Sequence, residues 1–187
     1  VVVSPAADDV FLPSASFRRV LAGAFDVLVR PDQPPSPGSA GCGAAEFGAI
    51  TLTLPCQNPK GSRRLGVIET RLTWSAERPD GVDLLVLDAA VGAPLQTAAR
   101  PVLGAPLGMG RDPAVLPRGA PWADPIWIPV PREAPPGARA LWVGLRKDDA
   151  WLPLTSASAP RSGPFVQLLA YTVDDTPVPD VWTFPGN

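Results

Sequence analysis

Histidine is absent from the chain, and with it go the usual general base, the usual activator of a serine or cysteine nucleophile, and the commonest metal ligand. Cysteine is nearly absent: Cys42 and Cys56 are the whole complement. Their spacing inside a Gly/Pro-rich region fits no zinc pattern and suits a disulfide that closes a loop; the alternative is two unrelated buried thiols. If bridged, the loop gains about 3 kcal/mol on the chain-entropy model and the compartment is an oxidising one. Charge of either sign is also short. The 16 basic residues against 18 acidic ones leave a net −2, too weak a field to draw in nucleic acid or an anionic membrane surface. No apolar run is long enough for a transmembrane helix, and no signal peptide is visible, although Val1-Val2-Val3-Ser4-Pro5 fits the start of a processed or trimmed chain.

Proline and glycine are plentiful, at 26 and 17 residues, yet apolar alternating segments separate them. That combination argues for a β-rich fold with many turns rather than for disorder. The most distinctive stretch is Gly66 to Ala90. Ile68, Thr70, Leu72 and Trp74 alternate with Glu69, Arg71, Thr73 and Ser75, which predicts a half-buried strand. After the turn chemistry of Arg78-Pro79-Asp80-Gly81, the run Leu84 to Leu87 is apolar on both faces and predicts a central, covered strand, so the whole reads as a hairpin-like unit. Phe47 to Leu54, Ile126 to Val130, Ala138 to Arg146, Trp151 to Leu154 and Phe165 to Val173 read as further strands. Pro129 suggests an edge or a bend.

Three regions interrupt this pattern. Residues 1–43 read as an N-terminal arm: Ser14-Ala15-Ser16 can cap an amphipathic helix over 16–29, because Phe17, Val20, Leu21, Ala24, Phe25 and Leu28 recur at three- and four-residue steps, and a Pro/Gly-rich linker follows. Gly23 and the β-branched Val27 and Val29 favour the competing reading, a strand over Phe25 to Val29. Gly92 to Pro125 reads as a long irregular loop over the surface, and 176–187 as a Pro-rich tail. Residues 44–175 are then one all-β antiparallel sandwich domain, immunoglobulin-like or jelly-roll, of about seven strands.

The run Leu72 to Leu95, a Gly/Pro-rich loop ending at Trp122, and Ile128 to Leu154 with its Pro135-Pro136-Gly137 turn together resemble a β-sandwich module. It occurs as the soluble extracytoplasmic tail of some bacterial membrane glycosyltransferases, of the dolichyl-phosphate-mannose mannosyltransferase type, and in related stand-alone surface proteins. The resemblance covers somewhat under half of the chain and implies a fold and an envelope location. Its motifs are turn prolines, glycines and core aromatics, so it implies no catalytic residue and no cofactor.

Candidate sites follow from chemistry. Indole faces stack on sugar rings, so Trp122 beside Asp124, and Trp151 near Asp148 and Asp149, are candidate carbohydrate contacts; Trp74 and Trp142 read as inward-facing core. Asp148-Asp149 and Asp8-Asp9 offer oxygens of the kind calcium takes, and also suit solvated turns. Glu46, Glu69 and Glu133 lie in different segments, which favours no glycosidase pair. Gly108 to Asp112 (GMGRD) is a weak match to phosphate loops, lacking the Lys-Ser/Thr that follows them. Phe17, Leu21, Phe25 and Leu28, with Trp182 and Phe184 of the tail, suit docking to a protein partner. The expectation is a non-enzymatic extracytoplasmic sandwich acting as a structural or accessory subunit of a larger envelope, surface or particle assembly. Sugar binding is the alternative, and carboxylate-based hydrolysis the third reading.

Overall fold

Alternation along the strands decides which side chains are buried. The computed structural model describes residues 2–5, 18–22, 25–29, 36–38, 41–56, 66–77, 81–131 and 133–175. The described strands are β1 (Val2–Pro5), β2 (Arg18–Ala22), β3 (Phe25–Val29), β4 (Ser36–Pro37), β5 (Gly43–Phe47), β6 (Ile50–Leu54), β7 (Val67–Ala76), β8 (Val82–Ala90), β9 (Arg100–Pro106), β10 (Trp122–Pro129), β11 (Gly137–Lys147), β12 (Ala150–Trp151), β13 (Leu154–Ala157), β14 (Arg161–Ser162) and β15 (Phe165–Val173). A single helical turn, α1 (Leu95–Ala98), precedes β9, and two short 3-10 turns follow it.

All pairings among the described strands are antiparallel, and two sheets carry the fold. The first sheet has the order β13-β5-β6-β7-β10-β4; the second has β14-β15-β11-β8-β9, with β12 added to the end of β11. Their apolar faces meet in one core, so the chain is an antiparallel β-sandwich. Leu52, Trp74 and Trp122 are direct neighbours across three strands of the first sheet and form the heaviest row of that core. From the second sheet Val86, Val143 and Val166, also direct cross-strand neighbours, enter the same core. In β15 a bulge opposite Leu141 and Trp142 leaves Leu168 and Leu169 both buried, and the inward row shifts from even to odd positions. Disulfide-bonded Cys42 and Cys56, with Cα atoms 4.8 Å apart, close the open end of the β5–β6 hairpin.

Several expectations give way here. Gly66 to Ala90 is not a hairpin: β7 pairs with β6 and β10 in the first sheet, while β8 pairs with β9 and β11 in the second. The segment is the arch that joins the two layers, because β7 pairs back with β6 and β8 pairs onward with β9, each in its own sheet, and not with each other. The strand expected over Phe47 to Leu54 is β6 from Ile50 onward, while Phe47 ends β5 and the two form a tight hairpin turning at Gly48, whose φ of 61° suits glycine. The expected helix over 16–29 is two strands, β2 and β3, joined with β1 into a small three-stranded sheet. Gly23 and the β-branched residues are compatible with strands, and the distant Val2–Pro5 supplies the partner that periodicity could not reveal.

Gly92 to Pro125 is not an irregular loop either. It contains β9, whose Val102, Leu103 and Ala105 enter the core, and it continues into Leu107, Met109 and Leu116, which are also buried. Pro101 and Pro106 are tolerated because β9 lies at a sheet edge, where a missing N–H breaks no ladder. Pro125 and Pro129 sit in β10, whose outer neighbour β4 covers only Trp122 and Ala123.

Candidate functional site

Among the described residues two groups of ionisable side chains are buried, and both face the core. In β8 the inward row runs Val82, Leu84, Val86 and then Asp88. Arg139 and Tyr171 arrive at the same end of the core from β11 and β15, as direct cross-strand neighbours. Arg139 grips the Asp88 carboxylate, with Nε donating to both oxygens at 2.9 Å and Nη2 to Oδ2 at 2.6 Å, and the Tyr171 hydroxyl donates to Oδ1 at 3.0 Å. Burial pushes the Tyr171 phenol well above its ordinary range, and the neighbouring Asp88 charge adds to the shift. Burial pulls Arg139 the other way, but its hydrogen bond to Asp88 and the charge of Asp88 outweigh that and hold it above the usual value.

At the other end of the sandwich, Arg111 Nη1 donates to Asp124 Oδ1 at 2.6 Å and to the Gly108 carbonyl at 3.0 Å. Gly108 and Met109 both hold positive φ, 72° and 54°, so the pair clamps a backbone turn with a strained residue at its centre. Burial raises the Asp124 pKa, and the Arg111 charge only partly reverses it. The Trp122 indole N–H lies near the same carboxylate and favours its charged form without completing a hydrogen bond.

These geometries remove Trp122 and Asp124 from the candidate sugar surface: they are 0% and 2% exposed, one stacked into the core and the other ion-paired. Trp151 and Asp149 do come together on a surface. Asp148 and Asp149 both hold positive φ and form the two-residue turn of the β11–β12 hairpin, which places Trp151 directly opposite Arg146. Trp151 is 41% exposed. Its ring meets Phe165 edge-on, with centroids 4.8 Å apart. Gly144 makes this possible, since a Cβ there would lie 2.7 Å from the Phe165 ring and 3.2 Å from Trp151.

Beside this aromatic wall the outer face of the second sheet is hollowed. Gly104 and Gly144 flank Leu85 as direct neighbours on β9 and β11; the Phe165 and Trp151 rings cover Gly144, and on the Gly104 side the Leu85 side chain is the floor of a shallow trough of about 270 Å³ edged by Asp83, Pro106 and Arg146. The rim is charged: Arg146 lies 3.9 Å from Asp83 and 3.6 Å from Asp149. Both carboxylates are well exposed. Trp142, expected inside, alternates with the fully buried Val143 and therefore lies on this outer face, partly covered.

The other candidates scatter. Glu46 and Glu69 project from exposed positions of the first sheet, and Glu133 stands at the surface within 3.6 Å of Arg100. Leu21, Phe25 and Leu28 belong to β2 and β3 and so share no helix face. Phe17, Trp182, Phe184 and Asp8-Asp9 lie outside the described residues. Among the described residues no group of three or more metal-ligating side chains gathers, and no helix is long and apolar enough to cross a membrane.

No family model matches the chain, and no curated protein matches it. Among solved structures it is similar to the C-terminal domain of Wzt, at 15% identity over 81% of this chain and 86% of that one, with a TM-score of 0.39. It is also similar to a Niemann-Pick type C2 protein from Japanese carpenter ant, at 10% identity over 76% of this chain and 100% of that one, with a TM-score of 0.40. The β-sandwich implied by the sequence resemblance is present in the two packed sheets of the chain itself, and the tie to glycosyltransferase tails rests on sequence motifs alone.

Proposed function

We propose that this protein is a non-enzymatic accessory β-sandwich of an extracytoplasmic assembly, and that the outer face of its second sheet is the surface it presents to that assembly. One observation carries the reading: Trp151, Leu85, Leu87 and Trp142 gather as an incompletely covered apolar strip on that face. Such a patch on a folded chain marks an interaction surface. The Cys42–Cys56 bridge supports an oxidising compartment. The buried ionisable side chains support the non-enzymatic role, since Asp88, Arg139 and Tyr171 saturate one another and Asp124 is held by Arg111. The loop expected to mediate contacts is instead largely spent on the core through Leu107, Met109 and Leu116, which moves the interface to the sheet.

The test is gentle extraction of the protein from its source, followed by native mass measurement. The expected result is a discrete complex heavier than one chain that dissociates when Leu87→Asp places a charge in the strip. A strictly monomeric chain in native extracts overturns the proposal.

A further inference from the structure

Resting on that reading of the face, we infer that the trough beside Trp151 is a saccharide subsite that takes one neutral hexopyranose ring of a longer glycan. Three features converge on this ligand chemistry. Trp151 offers an exposed indole beside the hollow, held edge-on by Phe165, and the C–H face of a pyranose stacks on such a surface. The floor is the Leu85 side chain, left open by the absence of a side chain at Gly104, while the Phe165 and Trp151 rings cover Gly144 on the other side, so the depression belongs to the sheet itself and not to a loose loop. A ring pressed on that floor keeps its hydroxyls at the rim, where Asp83, Arg146 and Asp149 supply acceptors and fixed donors. The apolar body with a few placed polar groups is the usual composition of a small-molecule site.

Charge selects among sugars. The trough is lined by one carboxylate, Asp83, and one guanidinium, Arg146, which is shared between Asp83 and the nearby Asp149, so no uncompensated cation edges it to hold uronic acids or phosphorylated sugars.

The experiment is titration of the full chain with defined neutral oligosaccharides of glucose, mannose and galactose, and with an oligogalacturonate, followed by tryptophan fluorescence and two-dimensional NMR. Two variants separate binding from folding. Trp151→Ala removes the stacking surface. Gly104→Leu fills the trough while leaving Trp151 untouched, and a Cβ at that position meets only Leu85 Cδ1, at 3.9 Å. The expected result is saturable binding of at least one neutral oligosaccharide, with shifts centred on Leu85, Gly104 and Trp151. Each variant should weaken it at least about tenfold, and Gly104→Leu, which leaves the Trp151–Phe165 contact in place, should do so without lowering the thermal midpoint. Absence of saturable binding across the neutral panel, preference for the acidic oligosaccharide, or binding indifferent to both variants overturns the inference. A complex that still dissociates with Leu87→Asp when no saccharide binds sinks the subsite and leaves the accessory role standing.

Discussion

Raising the pH should destabilise this protein through a single phenol. Tyr171 is the chain's one tyrosine, so the ultraviolet signature of tyrosinate reports it alone. In the unfolded chain it ionises near the ordinary value of about 10. In the folded protein burial, followed by the Asp88 carboxylate it donates to, holds the proton on well above that. The folded pKa exceeds the unfolded one, so the contribution to stability is fully present below about pH 10 and is lost as the pH rises from there toward the folded value. While Tyr171 stays protonated only in the native state, each further pH unit removes about 1.4 kcal/mol. The perturbation is therefore a series of urea unfolding curves from about pH 8 to about pH 11, with tyrosinate absorbance recorded alongside. Native protein should show no tyrosinate until it unfolds, and its stability should fall at roughly the stated slope above about pH 10. Tyr171→Phe should flatten that slope and cost about 1.5–3 kcal/mol at neutral pH, the range for a hydrogen bond to a charged group. A tyrosinate midpoint near pH 10 in protein that remains folded by circular dichroism would refute the buried Asp88–Arg139–Tyr171 arrangement.

Reducing Cys42–Cys56 should lower stability by about 3 kcal/mol, read as a shift in denaturant midpoint with and without reductant; an unchanged midpoint contradicts the staple at the β5–β6 hairpin. Trp74→Ala should cost about 3–5 kcal/mol by opening a cavity between the sheets, measured by urea unfolding. Arg111→Ala strands Asp124 in the core and should cost about 3–5 kcal/mol at neutral pH. Because the folded Asp124 pKa is already raised and rises further without Arg111, that variant should regain stability as the pH falls through the folded value; further loss on mild acidification, relative to wild type, would contradict the buried pair.

Alternation made much of the sandwich legible. Ile68, Leu72 and Trp74 face inward as their spacing required, and the two cysteines close a loop. What alternation could not supply was pairing. β7 and β8 are adjacent in sequence, yet their partners come from β6, β10, β9 and β11, so an arch between layers and a hairpin have the same local pattern. The stretch 16–29 satisfies a helical and a two-residue period at once, and β1, far upstream, decides between them. Asp88 was missed although it continues the inward row of Val82, Leu84 and Val86; a lone acid in an apolar register is the signal that finds it. Trp151 was visible as a turn aromatic. The trough was not, because Gly104, Leu85 and Gly144 meet only when three distant strands align. In retrospect Leu84 to Leu87 carried half the message: its inward residues are core, while Leu85 and Leu87 lie on the outer face.

The most direct test of that face is site-specific photo-crosslinking in the native source. A crosslinker at position 104 or 151 lies on the outer face of the second sheet, whereas one at Glu46 projects from the outer face of the first. Positions 104 and 151 should yield discrete adducts and position 46 none. Adducts confined to position 46, or none at any of the three, would contradict the assignment of the second sheet as the recognition surface.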